Sequence, residues 1–514
     1  MKIERTQNAA RNIVFDGMLK FFNIAIPFFM RSIILYTLGV EFLGLGGLFR
    51  SLLSFLNLAE LGVGSAMVYS MYKPIAEDDT ESICALMKLY RTVYRFIGLF
   101  IAVAGLALTP FLRGLIKGDT PPNINLYILY FMNLGNTVLT YWLFAYKNCL
   151  LFAHQRHDVS SKVGLVIHFI EYGLKMVVLL LFRNYYIYLA IQLVSQATIN
   201  IFTAIKVDKM YPNYSARGIM PKDQMLDVFR RVRDLFTAKL SYVIFNSADT
   251  LVVSSFMGLA VLAVYQNYYY IVTSLKTMID VILKACTAGV GNSLLTESGD
   301  KNYRDMKKIS LLFSWMLGVT TTMLLCMYQP FMEIWMGKEN MLSFGYAVCF
   351  SVYYYSLGVN RLVNMFKDAA GIWRKDRWRP LAGALVNLGL NLATVQWLGL
   401  YGVLLSSVVS IAFVQMPWLF HNLFQVVYPH KYLKDYTVNS CVYILLSSVS
   451  CAASWFLCSR FSLKPWPALI LNACISFVVP NIIFFLVYGR TPMFKQSVIQ
   501  IKRIVLRKKS KAHS

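Results

Sequence analysis

The chain is 514 residues long, 57% apolar, with a mean hydropathy of +0.53, which excludes an ordinary soluble domain. Lys and Arg outnumber Asp and Glu by 50 to 25, a net charge of +25, but the excess lies in loops between apolar runs, so no nucleic-acid partner is expected. The nine cysteines show no CxxC spacing and no Cys/His cluster. They sit mostly in apolar runs, where Cys packs as a small hydrophobe, so neither a disulfide nor a metal site is expected.

A bilayer-spanning helix needs about 20 mostly apolar residues. Fourteen candidate runs follow one another: 12–31, 41–70, 91–112, 124–146, 163–182, 185–205, 239–257, 260–292, 309–330, 342–366, 380–397, 400–425, 436–458 and 466–488. The reading is an all-α polytopic membrane protein. The first run is long enough to span and stay as a helix, so no signal peptide is expected. The second and eighth runs, about 30 residues each, exceed a simple span and read as helices that tilt or protrude. Gly44, Gly46 and Gly47 near the start of the second allow close helix approach or a bend. Lys206–Lys239 is the longest polar stretch and reads as a cytoplasmic linker. The basic tail Arg503–Lys511 reads either as a solvated topogenic segment or as a contact for anionic lipid headgroups.

The chain repeats itself about 220 residues apart. Tyr146-Lys147-Asn148 before Phe152 matches Phe366-Lys367-Asp368 before Trp373, Gly98 matches Gly318, and Gly62-Val63-Gly64 matches Gly289-Val290-Gly291. Duplicated halves with an even number of spans keep the same orientation and make two pseudo-symmetric six-helix bundles. The expected division is 1–205 for the first lobe, 206–238 for the linker, 239–425 for the second lobe, 426–488 for two extra helices and 489–514 for a basic cytoplasmic tail. With the N-terminus inside, 36 of the 50 basic residues fall on the internal side and seven outside. That asymmetry places both termini in the cytoplasm.

Charges within the spans are functional hypotheses by default, since each costs about 2.5–3.5 kcal/mol at a helix centre. Asp16 and Lys20, and Glu171 and Lys175, are four apart and read as neutral pairs within a lobe. His168, one turn before Glu171, reads as a hydrogen-bonded helix contact. Lys276, Asp280 and Lys284 form one stripe on a helix face, with one acid for two lysines. Arg50 and Arg361 have no nearby acid on their own helices. These five residues read as an anion-binding set suited to a phosphate. The competing reading pairs Arg50 or Arg361 with Glu60 or Asp249 across helices. Asp249 is the coupling-ion candidate, for a proton or sodium; helix capping or a bond to Arg361 are its other readings. Tyr265, Tyr268, Tyr269 and Tyr270 read as packing or as sugar-stacking rings. No P-loop, nucleophile elbow or HExxH occurs, so no cofactor, catalytic residue or enzyme activity is expected.

The stretch Gly39–Pro74, GVEFLGLGGLFRSLLSFLNLAELGVGSAMVYSMYKP, resembles the amino-terminal signature of Wzx-type polysaccharide transporters. These belong to the multidrug/oligosaccharidyl-lipid/polysaccharide (MOP) exporter superfamily. Phe245-Asn246-Ser247-Ala248-Asp249-Thr250, followed by Val264-Tyr265-Gln266-Asn267-Tyr268, is similar to their second-lobe signature. The resemblance implies two six-helix bundles around a cavity and two extra C-terminal helices. It implies flipping of undecaprenyl-pyrophosphate-linked oligosaccharide in a bacterial plasma membrane by alternating access. The implied partners are that substrate, membrane lipids, a polysaccharide polymerase and glycosyltransferases. A lipid II flippase and a drug/cation antiporter of the same superfamily are the alternatives.

Overall fold

Each turn between helices coincides with a residue that stops or caps one. In the computed structural model, residues 5–60, 62–118, 120–121 and 124–497 are described, with the side chains of 5–14, 16, 59, 234, 235 and 238 left aside. The Asp16–Lys20 pairing and the basic tail lie outside this description. The fold is all-helical, 87% helix, with no strand among the described residues. By contacts it divides into two compact units, residues 1–263 and 264–514.

The first unit contains α1 (Arg5–Thr37), α2 (Val40–Leu56), α3 (Val63–Ala76), α4 (Thr80–Leu108), α5 (Leu126–Trp142), α6 (Asn148–Ala153), α7 (His157–Leu181), α8 (Tyr185–Met210) and α9 (Lys222–Met257), and the first residues of α10 (Leu259–Thr296). Gly39 at φ +111° separates α1 from α2, and Gly258 at φ +92° separates α9 from α10. Asp79, Asn125 and Asn184 cap α4, α5 and α8 by accepting from backbone N–H groups of the first turn. The polar linker is shorter than expected. No Gly or Pro interrupts 222–257, so α9 starts immediately after Pro221 and only 211–221 is non-helical.

The run 41–70 is not one helix. It breaks at a 3-10 turn over Asn57–Glu60 and at Gly62, which is left-handed at φ +91°. Tyr141 donates to Asn57 Oδ1 at 3.2 Å and Tyr94 to Glu60 Oε1 at 3.2 Å, so the turn's polar side chains are held by α5 and α4. Its counterpart in the repeat stays helical through Gly289 and Gly291 within the 38-residue α10. Tight packing also fixes the far end of α9. Ser254 Oγ donates to the Leu115 carbonyl at 2.7 Å, and Lys117 N–H donates to the Ser254 carbonyl at 3.1 Å. A Cβ on Gly44 would lie 2.1 Å from the Leu259 carbonyl oxygen. These contacts place α9 with the first unit, beyond the 205 boundary drawn from sequence.

The second unit contains the rest of α10, then α11 (Gly299–Met336), α12 (Phe344–Ala369), α13 (Arg379–Leu398), α14 (Leu400–Val409), a π segment over Ser410–Gln415, α15 (Met416–Val426), α16 (Leu433–Cys458) and α17 (Pro465–Tyr488). The two extra helices pack on α11. Leu311, Tyr443, Phe484 and Tyr488 form a buried cluster. Trp315 donates to Asn481 Oδ1 at 3.0 Å, and Asn472 donates to the Cys326 carbonyl at 2.9 Å. Gly318 admits Phe484 and Ser447 here, whereas its repeat partner Gly98 admits Trp142 of α5.

Among the described residues, eleven helices are long and apolar enough to cross a membrane, the pattern of a multi-pass membrane protein. The other three expected runs are helical too. One is the divided 41–70, one contracts to the 17-residue α5, and the third is α12, which carries Arg361, Lys367 and Asp368.

The repeat has a structural signature at its loops. Asp158 is fully buried and accepts from Arg156 Nε at 2.9 Å and Lys162 Nζ at 3.1 Å. Asp376, 218 residues on, is also buried and accepts from Arg379 Nε at 2.7 Å and Asn422 at 3.0 Å. Each carboxylate ties the start of one helix to the loop before it.

Candidate substrate site

Among the described residues, a cationic cluster is set along the helices of each unit. In the first, α7 places Glu171 and Lys175 on one face by their i, i+4 spacing, and both are buried. They form the expected ion pair. His168 meets the other Glu171 oxygen at 2.9 Å through Nδ1, as a helix contact. Lys175 Nζ also donates to Gln192 of α8 at 3.2 Å and stands 4.5 Å from the centroid of the Tyr188 ring. Arg50 on α2 lies within electrostatic reach of Lys175, Tyr185 and Tyr188. It is exposed and makes no ion pair among the described residues. Gly46 allows this approach, since a Cβ there would lie 3.0 Å from the Tyr185 hydroxyl. With Glu171 neutralised by Lys175, Arg50 is the cluster's surplus cation.

In the second unit, Lys276 and Asp280 are one turn apart on α10, and α12 brings Arg361 to them. Arg361 Nε lies 3.7 Å from Asp280 Oδ1. The interhelical reading therefore holds for Arg361, but its acid is Asp280 rather than Glu60 or Asp249. Lys276 is within electrostatic reach of both Asp280 and Arg361. Lys284, the next residue of the stripe on α10, is exposed and makes no ion pair among the described residues. Asp280 thus lies near both Lys276 and Arg361. Asp249 is buried on α9. Tyr265 and Tyr268 are buried against Phe350 at 5.7 Å, and Tyr268 also stacks on Tyr328 at 5.0 Å, which favours packing for these two rings.

Sequence reasoning missed a cavity of about 790 Å³ in the first unit, bordered by Glu60, Tyr90, Tyr94, Tyr141, Asn148 and Gln196. The available signal was Glu60 beside a left-handed glycine, which sets a carboxylate at a helix break.

No protein-family model matches the chain, and no curated protein sequence matches it. Solved structures do. A structure described as the lipid II flippase MurJ in an inward closed conformation superposes with a TM-score of 0.69, covering 93% of this chain and 99% of that one at 14% identity. The chain shares the fold of that structure. An inward-facing multidrug resistance MATE family transporter of the MOP superfamily gives a TM-score of 0.62 over 81% of this chain and 96% of its own, also at 14% identity. A MOP superfamily transporter from Pyrococcus furiosus, whose binding pocket is described as of reverse polarity, gives 0.53 over 83% and 96%, at 12% identity. The chain therefore shares a transporter fold along nearly its whole length.

Proposed function

We propose that this protein is a flippase that carries undecaprenyl-pyrophosphate-linked oligosaccharide units from the inner to the outer leaflet for surface polysaccharide synthesis, by alternating access. The observation that carries this reading is the sign of the intramembrane charge. Among the described residues Arg50 stands beside the Glu171–Lys175 pair without an acid of its own, and Asp280 is set among the cations Lys276 and Arg361. Guanidinium and ammonium groups in a low-dielectric setting suit an anionic headgroup, because a phosphate replaces their water and adds counter-charge. A drug/cation antiporter asks for the opposite sign. The likeness to a lipid II flippase over 93% of the chain, against 81% for the MATE transporter, supports lipid II as the second reading, since its pyrophosphate asks for the same cations.

The setting that goes with this reading is a bacterial plasma membrane with both chain termini in the cytoplasm. Glycosyltransferases supply the substrate and a polymerase consumes it. Glycan export by cells carrying Arg50→Gln, Lys276→Gln, Lys284→Gln or Arg361→Gln tests the role of charge. Export falls in the neutralised variants while membrane insertion is kept. Normal export by all four sinks the cationic-site reading.

A further inference from the structure

The cavity in the first unit has the opposite chemistry to the cationic clusters. It lies among α3, α4, α5, α6 and α8 and holds about 790 Å³, within the range of small-molecule sites, about 300–1,000 Å³. Among the described residues no Lys or Arg lines it, and His157 is its one imidazole. Its polar centre is Glu60, which accepts from the Tyr94 hydroxyl at 3.2 Å, and Tyr90 in turn donates to Tyr94. Lys239 is within electrostatic reach of Glu60 but makes no ion pair with it. The Asn148 amide borders the space with no protein hydrogen-bond partner among the described residues. Gln196 gives its NH₂ to Asn200 at 3.2 Å. Gly64 keeps the floor open: a Cβ there would lie 3.0 Å from the Tyr90 hydroxyl and 3.2 Å from Glu60 Oε1.

Tyrosine faces complete the lining. Tyr69 and Tyr72 stand exposed at its edge, and the Tyr69 ring already carries a planar cation, Arg231, at 4.4 Å. Tyr141 stands edge-on to Tyr94 at 5.3 Å deeper in. Aromatic faces, a carboxylate and amide groups are what a sugar ring requires. The C–H face of the ring covers an aromatic, and its hydroxyls donate to the carboxylate and exchange hydrogen bonds with the amide. The same carboxylate repels an acidic sugar.

We propose that this cavity is a carbohydrate subsite that takes a neutral or amino sugar unit, with Glu60 and Asn148 as its hydrogen-bonding groups, and that it rejects uronic acids. This rests on the reading of the protein as a glycan-lipid flippase and adds which part of the headgroup the first unit receives.

The test is saturation-transfer NMR on the full-length protein in micelles, with three probes: N,N′-diacetylchitobiose, a galacturonic acid disaccharide and tetraethylammonium. Saturation is expected to reach the neutral sugar and not the acidic one. Glu60→Gln and Asn148→Leu are each expected to weaken that binding about tenfold, the effect of losing a hydrogen bond to a charged or buried group. Gly64→Ala, which fills the floor with a methyl, provides the third variant should Glu60→Gln not fold. Three results overturn the proposal: no contact with the neutral sugar, unchanged binding in the folded variants, or displacement of the sugar by tetraethylammonium, which would mark a cation site. Flipping of undecaprenyl pyrophosphate without sugar separates this inference from the one beneath it. If the bare lipid is moved but no sugar binds, the subsite alone is wrong; if neither occurs, both readings fall.

Discussion

Replacing Asp280 by Asn removes the acid that pairs with Arg361 and keeps its shape. The Arg361–Asp280 pair is 3.7 Å apart, with side chains 34% and 30% exposed. Partly solvated pairs of this kind contribute about 0.2–1 kcal/mol, so the variant should fold and insert with little loss. Binding should respond more. An anion held about 5 Å from the lost charge, at an effective dielectric between about 20 and 80, gains ~1–3 kcal/mol when that repulsion goes. This corresponds to roughly five- to hundredfold tighter binding of a pyrophosphate. Tighter holding of the bound state slows release, so flipping should fall while affinity rises. Calorimetric titration of nanodisc-embedded protein with undecaprenyl pyrophosphate, at two salt concentrations, reads the affinity, and a liposome assay reads flipping. Unchanged affinity in Asp280→Asn together with loss of folded protein would refute the reasoning and leave Asp280 as a helix-to-helix fastener.

Other outcomes follow from groups outside the cationic clusters. Arg379→Ala leaves Asp376 buried with a single cation, Lys367, 3.6 Å away, and breaking a buried pair costs about 3–5 kcal/mol; thermal unfolding in detergent should show a large drop, and a near-native transition would contradict the fastening role. Gly44→Ala drives a methyl onto the Leu259 carbonyl, 2.1 Å away, and overpacking of this kind costs about 1–3 kcal/mol or more; a variant as stable as the parent would show that α2 and α10 do not approach so closely. His154 is buried between Leu150, whose carbonyl it contacts at 2.8 Å, and Tyr211 at 4.5 Å. Burial pushes its imidazole below the ordinary value, near 6.5, so protonation favours the unfolded chain. Its contribution to stability is complete above that ordinary value and is lost as pH falls below it. A His154→Gln variant should flatten the decline in unfolding temperature between pH 7 and 5, and an unchanged slope would contradict this.

How much of this was legible in the sequence varies with the range of the interaction. Hydropathy runs and charge-free windows are local, so the helices were readable, and the i, i+4 contact of Glu171 with Lys175 followed from helical spacing alone. The break at Asn57–Gly62 was not, because Tyr94 and Tyr141, which hold it, are 34 and 84 residues from their partners. For the same reason the pairing of Arg361 with Asp280, on another helix, is not legible locally. The paired loop carboxylates did leave a trace, Arg156-x-Asp158 and Arg374-x-Asp376 at the repeat spacing. That trace becomes informative only once burial shows that both carboxylates lie inside. The Glu60 cavity needed five segments to meet, and no single stretch of sequence carries that.

The central claim is that the intramembrane cations serve an anionic lipid headgroup. Its most direct test is transport by the purified protein in liposomes, comparing a fluorescent undecaprenyl-pyrophosphate-linked oligosaccharide, lipid II and a fluorescent organic cation. The account predicts movement of the lipid-linked oligosaccharide between leaflets, lost in the Arg50→Gln/Lys276→Gln/Arg361→Gln triple variant, with no transport of the cation. Transport of the organic cation with the pyrophosphate lipids left in place would contradict it.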